Sequence, residues 1–245
     1  KKFRVRKPEN VFSEIEILYH EYGIREFHII DDTFNLIPKR AMKICNLVMK
    51  NGMRIDIAFP NGLRGDLIDD ELLIKLKEAG TYKINFGIES ATDRIQKIIN
   101  KRLDINKVNT AISKAVKAGI FTHGWFMLGF PTETKDEMIK TIDFACNSKL
   151  HTAGFNIVIP FPATQLYEMK ETQQCLKEID FDNFNYRTAT MNLSAVSLSD
   201  LRRLHKLAHR KFYFNPSRLT RIFLSTPNKL DIIRNLREHL RAQFF

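Results

Sequence analysis

The sequence contains no run of 18 apolar residues, and its opening, KKFRVRKPEN, lacks the apolar segment that a secretory leader requires. No membrane-spanning helix is expected, and the chain reads as cytoplasmic. Cysteine is scarce as well: Cys45, Cys146 and Cys175 lie far apart with no CxxC spacing. That spacing excludes a zinc knuckle and a secreted disulfide framework, so the thiols read as reduced and structural. The histidines fall at no ligand spacing, and no metal ligand is assigned within this chain. An initiator Met is missing at Lys1, where the chain runs at once into a helix signal; the expectation is a piece cut from something longer. Acids are what the C-terminal part lacks. Residues 201–245 hold eleven Lys and Arg against two acids, Asp231 and Glu238, so most of the formal net charge of +11 belongs to that tail. Its basic residues are interleaved with Leu, Ile and Phe at near-helical spacing. That suits helices packed on the rest of the fold with a solvated basic face, an anionic membrane surface, nucleic acid or a partner domain. On a helix starting near Ser197, the pattern turns Leu201, Leu204, Leu207 and Ala208 inward and Arg203 and Arg210 to solvent.

What is present in quantity is alternation. The 245 residues are 44% hydrophobic, enough for one full-sized core and a small appendage. Five β-branched or aromatic runs, at 26–31, 54–59, 82–89, 122–130 and 154–160, alternate with amphipathic segments. Helix ends are readable between them: Pro8 and Gly23 bound one helix, Pro38 and Gly52 the next, and Asp69-Asp70-Glu71 and Gly80 a third. Residues 104–118 and 134–149 make two more. Regular βα succession implies a parallel sheet closing toward a barrel. The periodicity changes after Pro160, which puts a boundary near 165, with a helical extension over 166–245.

Polar residues collect at the C-terminal ends of these runs, where α/β barrels build their sites. Asp31 and Asp32 follow FHII; paired acids there can hold a metal, act as acid and base or accept from an ammonium group, or merely cap a turn. Asn61 and Arg64 stand in NGLRGD after the second run. Glu89 and Ser90 end the third; a strand-end carboxylate can accept both hydroxyls of a ribose. Arg94, one turn on, can clamp a carboxylate bidentately or lie idle on the surface. In GWFMLGFPTET, Gly129 and Pro131 make a tight exit, Glu133 and Thr134 start the next helix, and Met127 offers an adaptable apolar face. Ile157 to Pro160 close a strand whose prolines stop further pairing. No residue is assigned a catalytic role.

Taken in order, FHIIDDTF, NGLRGD, FGIES, FMLGFPTET and IPFPATQLYE resemble the radical S-adenosylmethionine (SAM) superfamily, and within it the cobalamin-associated subfamily, over residues 1 to about 170. The resemblance implies an α/β fold, a partial TIM-barrel-like (β/α)6 barrel over 1–165 without its first strand, and a helical basic tail over 166–245. It implies that Asp31 and Asp32 meet the amino group of SAM, Glu89 the ribose, and Met127, Gly129 and Ile157 to Pro160 the adenine. The family's CxxxCxxC loop, whose thiolates hold a [4Fe–4S] cluster, has no counterpart here, so the cluster ligands and an upstream cobalamin-binding domain are expected before Lys1. The implied activity of the whole protein is reductive cleavage of SAM to a 5′-deoxyadenosyl radical acting on a small molecule, with methyl transfer or cyclisation where cobalamin is present. This chain without cluster cysteines is expected to be inactive alone. Two other readings stay open: a non-catalytic SAM- or nucleotide-binding module, and an RNA-modifying or membrane-surface protein whose basic tail selects the partner.

Overall fold

The computed structural model describes residues 4–169 and 190–226. The tail beyond 226 and the middle of the expected boundary region, 170–189, lie outside them. The helices begin where the chain supplies a stop to extended backbone and a partner for the first amides. Pro8 opens α1 (Pro8–His20) and Pro38 opens α2 (Pro38–Lys50). The Asp69 carboxylate caps α3 (Asp70–Glu78) by accepting from Leu72 N, and Asp104 does so for Asn106 and Lys107 ahead of α5 (Ile105–Lys117). Between these two lies the short α4 (Asp93–Ile98), and α6 (Lys135–Asn147) starts in a full capping box between Thr134 and Glu137. A single turn, α7 (Gln165–Glu168), precedes α8 (Leu198–Tyr213) and α9 (Pro216–Ser225), which are capped by Ser197 and Asn215.

The strands β1 (Glu26–His28), β2 (Asp56–Leu63), β3 (Thr81–Glu89), β4 (Phe121–Leu128) and β5 (Thr152–Ile157) form one sheet in chain order. β1 with β2 and β2 with β3 run parallel, and a helix lies between successive strands, as the alternation implied. Three strands depart from their expected bounds, β5 running Thr152–Ile157 where 154–160 was expected. β1 stops at His28, before the apolar run ends, and β2 extends through Pro60-Asn61-Gly62, a sequence that reads as a turn. Its register against β3 shifts between Phe59 and Leu63, the irregularity a proline inside a strand imposes.

Two compact units divide the chain: Lys1–Gly87 with Leu103–His123, and Ile88–Arg102 with Gly124–Phe245. In the first, the Phe34 and Phe59 rings meet at a tilt with centroids 5.1 Å apart, and α2 and α3 bury Ile44, Val48, Leu72 and Leu76 in its core. Gly80 permits the α3 to β3 turn: its φ is +102°, and an added Cβ would lie 1.9 Å from the Ile55 carbonyl.

In the second unit Phe126 stacks on Phe155 at 5.3 Å, and Phe155 meets Phe212 of α8 edge-on. Leu201, Leu204, Ala208 and Phe212 form the buried stripe of α8. Leu207 was expected to join them and instead is 46% exposed, because one turn past Leu204 the stripe advances to Ala208 and leaves position 207 on the outer face. α8 also satisfies β5 by side chains. His205 and His209 both approach the Phe155 carbonyl, at 2.7 and 3.3 Å, and the Tyr213 hydroxyl donates to Ala153 O and accepts from Ala153 N.

Arg218 of α9 is 1% exposed. Its guanidinium lies 3.6 Å from the centroid of the Phe212 ring and donates to the carbonyls of Leu150, Cys146 (2.7 Å) and Ser148 (3.3 Å), where α6 ends. A cation at a helix C-terminus meets the negative end of the dipole and carbonyls that the helix leaves unpaired. Burial still costs the charge, and lowers the Arg218 pKa to about 10. Arg218→Met keeps the apolar stem and strands these carbonyls. It should lower unfolding stability by about 2 kcal/mol or more, read as a shift in denaturant midpoint at unchanged slope.

Candidate functional site

The first unit carries the early candidates. Asp31 is half-buried and Asp32 exposed in the loop after β1, beside a cleft lined by Arg4, Arg6, Phe27, Ile29 and Arg40. A residue that sequence reasoning missed, Asn35, fixes that loop: fully buried, it donates to Arg64 O (2.8 Å) and accepts from Arg64 N (2.9 Å). The structure thereby joins the Asp31-Asp32 loop to the end of β2. The Arg64 guanidinium is committed to Asp66 by two bonds of 3.1 and 2.7 Å, while Asn61 is exposed.

The second unit carries the rest. Glu89 ends β3 in the left-handed region, φ +64°, an unusual place for a residue with a Cβ. Its neighbours hold it there. Ser90 is fully buried and bonded to the hydroxyls of Thr92 (3.1 Å) and Thr141 (3.2 Å), and Gln96 donates to the Ile88 and Ser90 carbonyls. Ser90 thus shapes the turn from inside. The half-buried Glu89 carboxylate accepts from Lys101 Nζ at 2.9 Å, and Lys101 sits between two further left-handed residues, Asn100 and Arg102. Nothing in the single sequence signals this pair, twelve residues apart across α4.

Arg94 does clamp a carboxylate, and it is the chain's own. It donates to both Glu137 oxygens (2.7 and 2.6 Å) and to the side chain and carbonyl of Thr132, itself left-handed at φ +62°. The Arg94 bond first, and then the Thr134 amide and hydroxyl, hold the Glu137 pKa down at about 2. Glu133, the residue that starts this segment, is fully buried. Its Oε2 accepts from the amides of Gly129 (2.8 Å) and Phe130 (3.0 Å), while Oε1 has no bonding partner among the described residues. Burial outweighs those two bonds and pushes its pKa up to about 7. Gly129, at φ +93°, is also where α8 comes close: an added Cβ would meet Leu201 at 3.2 Å and Ile157 at 4.0 Å. Met127 packs with Ile99 and Leu166 against buried Ile95, Phe130 and Val158, so strand ends β4 and β5 and helix α4 share one apolar patch in this unit. Ile157 and Pro160 are buried beside it in sequence.

Residues 1–145, more than half of the chain, match the radical SAM superfamily. This chain belongs to that superfamily of enzymes. It is 32% identical over 216 residues to the uncharacterized methyltransferase PH0819 of Pyrococcus horikoshii, covering 88% of this chain and 47% of that protein. It is 27% identical to the anaerobic magnesium-protoporphyrin IX monomethyl ester cyclase of Cereibacter sphaeroides, covering 86% of this chain and 34% of that protein. The solved structure of the radical SAM methyltransferase TsrM from Kitasatospora setae, with cobalamin and a [4Fe–4S] cluster bound, superposes with a TM-score of 0.58 at 18% identity. That match covers 64% of this chain and 32% of TsrM, and shows the fold. The radical SAM chain thus spans about half or less of the length of these curated relatives.

SAM and a [4Fe–4S] cluster are the cofactors of this family. The described residues do not fit the cluster: no group of three His, Cys, Asp or Glu could hold a metal ion. Cys45 is buried in α2 with its thiol pushed up to about 12, and burial raises the Cys146 thiol too, the reverse of what a thiolate ligand needs. SAM is better served, by the half-buried carboxylate of Glu89 and by the apolar patch around Met127.

The raised pKa of Glu133 has a sign that can be checked. A carboxyl that binds its proton more tightly folded than unfolded contributes stability that is full below about 4.5 and lost as pH rises through about 7. Glu133→Gln is neutral throughout and can still accept the Gly129 and Phe130 amides. Unfolding measured from pH 5 to 8 should show wild-type stability falling more steeply than that of the variant, by up to roughly 1.4 kcal/mol per pH unit. Equal slopes would place the Glu133 proton elsewhere.

Proposed function

We propose that this chain is the SAM-holding part of an enzyme that methylates a small molecule or closes a ring on it, working in the cytoplasm alongside a cobalamin-binding domain of the same protein. The observation that carries the reading is Glu89, a carboxylate fixed at a strand end on left-handed backbone by a buried network of Ser90, Thr92, Thr141 and Gln96. Strained backbone held by so many bonds is characteristic of ligand sites. Supporting it are relatives named as a methyltransferase and a cyclase, and the cobalamin-binding TsrM as a fold neighbour.

When bound, SAM supplies a transferable methyl group and the source of the family's radical chemistry. The chain's residues bind and orient it. Glu89 accepts the two ribose hydroxyls, with Lys101 balancing its charge, and the patch of Met127, Phe130 and Val158 gives adenine an apolar wall. Gly129, Glu133, Ile157 and Pro160 shape that wall, and Ser90 and Arg94 set the two turns beside it. In the first unit, Asp31 and Asp32 offer carboxylates to an ammonium group, with Asn61 and Arg64 at the adjoining strand end.

In the full-length protein with its cluster reconstituted, Glu89→Ala should weaken SAM binding by about 1–3 kcal/mol, measured by equilibrium dialysis, the range for hydrogen bonds to a charged group. Anaerobic, reducing incubation should release 5′-deoxyadenosine or methylated product. A cluster-loaded protein that binds SAM and releases neither is a binding module rather than an enzyme.

A further inference from the structure

The outer faces of α8 and α9 are used by nothing described so far. Opposite the buried stripe of α8, Arg203, Leu207, Arg210 and Phe214 recur at spacings of four, three and four, a single line down the helix. Lys206 is exposed beside it. On α9, Arg218, Arg221 and Ser225 turn inward onto carbonyls and His151, which leaves Leu219 and Leu224 on the other side. These are not glancing exposures: Phe214 is 70% exposed and Leu224 74%.

The charge on this surface is one-sided. Residues 198–226 contain seven Lys and Arg against a single acid, Asp200, which lies 3.7 Å from Arg203. Lys211 is paired with Asp143. Among the described residues of these two helices, Arg203, Lys206 and Arg210 therefore face solvent with Asp200 as the one acid beside them, in a line shared with leucine and phenylalanine. A face built for solvent alone gains nothing from exposed leucines, and a phosphate backbone offers Leu207, Leu219 and Leu224 nothing to bury against. A bilayer surface rewards both classes, since cations meet anionic headgroups while apolar side chains enter the acyl boundary.

We propose that α8 and α9 form a peripheral docking surface for an anionic phospholipid membrane. Arg203, Lys206 and Arg210 supply the attraction, and Leu207, Phe214, Leu219 and Leu224 the insertion. The surface is independent of the SAM site, so either reading can fail without the other.

The test is cosedimentation of the intact protein with vesicles of phosphatidylcholine alone and of phosphatidylcholine with phosphatidylglycerol, at low and high salt. Binding to the anionic vesicles is expected at low salt, with about a tenfold or greater loss at high salt. Arg203→Glu, Lys206→Glu and Arg210→Glu together should reduce it on the order of a hundredfold. Leu219→Ser with Leu224→Ser should cost roughly tenfold at either salt. Thermal melts matched to wild type confirm that these surface variants are folded, and glutamine replaces glutamate in any that melts early. The proposal is overturned if the folded protein ignores anionic vesicles at low salt, or if the charge-reversed protein binds like wild type. It is also overturned if single-stranded RNA displaces the vesicles while the leucine variant binds normally, which assigns the charge to nucleic acid. Gel filtration showing a dimer that the leucine variant dissociates, with no vesicle binding, would assign the face to a second copy instead.

Discussion

One buried carboxylate governs the exit of β4. Glu133 accepts the amides of Gly129 and Phe130, and those two bonds fold the chain back on itself immediately after the strand. The same residue's carbonyl accepts from Ala195 N, and Thr132 N donates to Leu193 O, so the segment ahead of α8 is attached to this turn. One residue later Thr134 caps α6, with Glu137 shared between the capping box and Arg94. A short stretch of chain thus sets a strand end, a helix start and the anchorage of a later segment. Substituting the turn glycine would strain all three, because Gly129 has left-handed backbone and an added Cβ would press on the Leu201 side chain at 3.2 Å.

Strain gathers around this region. Glu89, Asn100, Arg102 and Thr132 are left-handed without being glycine, and all four lie in the second unit near residues assigned to the ligand. Each is opposed by specific bonds: Lys101 to Glu89, the Asn100 amide to Lys97 O, the Arg102 amide to Gln96 O, and Arg94 to both oxygens of Thr132. A loop whose conformation is so over-determined changes little when a ligand arrives, which lowers the ordering cost of binding.

Much of this was legible in the residues. Apolar runs of strand length, several with polar residues at their ends, located β1 to β5, because a parallel sheet is buried on both faces and its loops alone are free to carry polar groups. Proline, glycine and aspartate at helix ends did the same for α1, α2, α3 and α5. The partners that went unread are mostly distant in the chain, which no local pattern marks. Asn35 reaches across 29 residues to Arg64, Arg94 across 43 to Glu137, and Gln96 folds back on the chain it follows. Position 207 failed for a narrower reason, since one leucine in a leucine-rich helix carries no mark of which side of the stripe it occupies. The proline-bearing end of β2 was hidden because Pro-Asn-Gly is also the vocabulary of turns.

The way α8 covers β5 has a consequence for synthesis. The Phe155 carbonyl and both backbone groups of Ala153 are satisfied by His205, His209 and Tyr213, residues fifty or more positions later in the chain. As the protein leaves the ribosome, these groups lack their partners on α8 until Tyr213 has emerged, and for that interval they are donors and acceptors open to strands of other molecules. Premature termination between residues 160 and 200 therefore leaves those groups unpaired on an exposed sheet edge, which is where one chain most readily pairs with another.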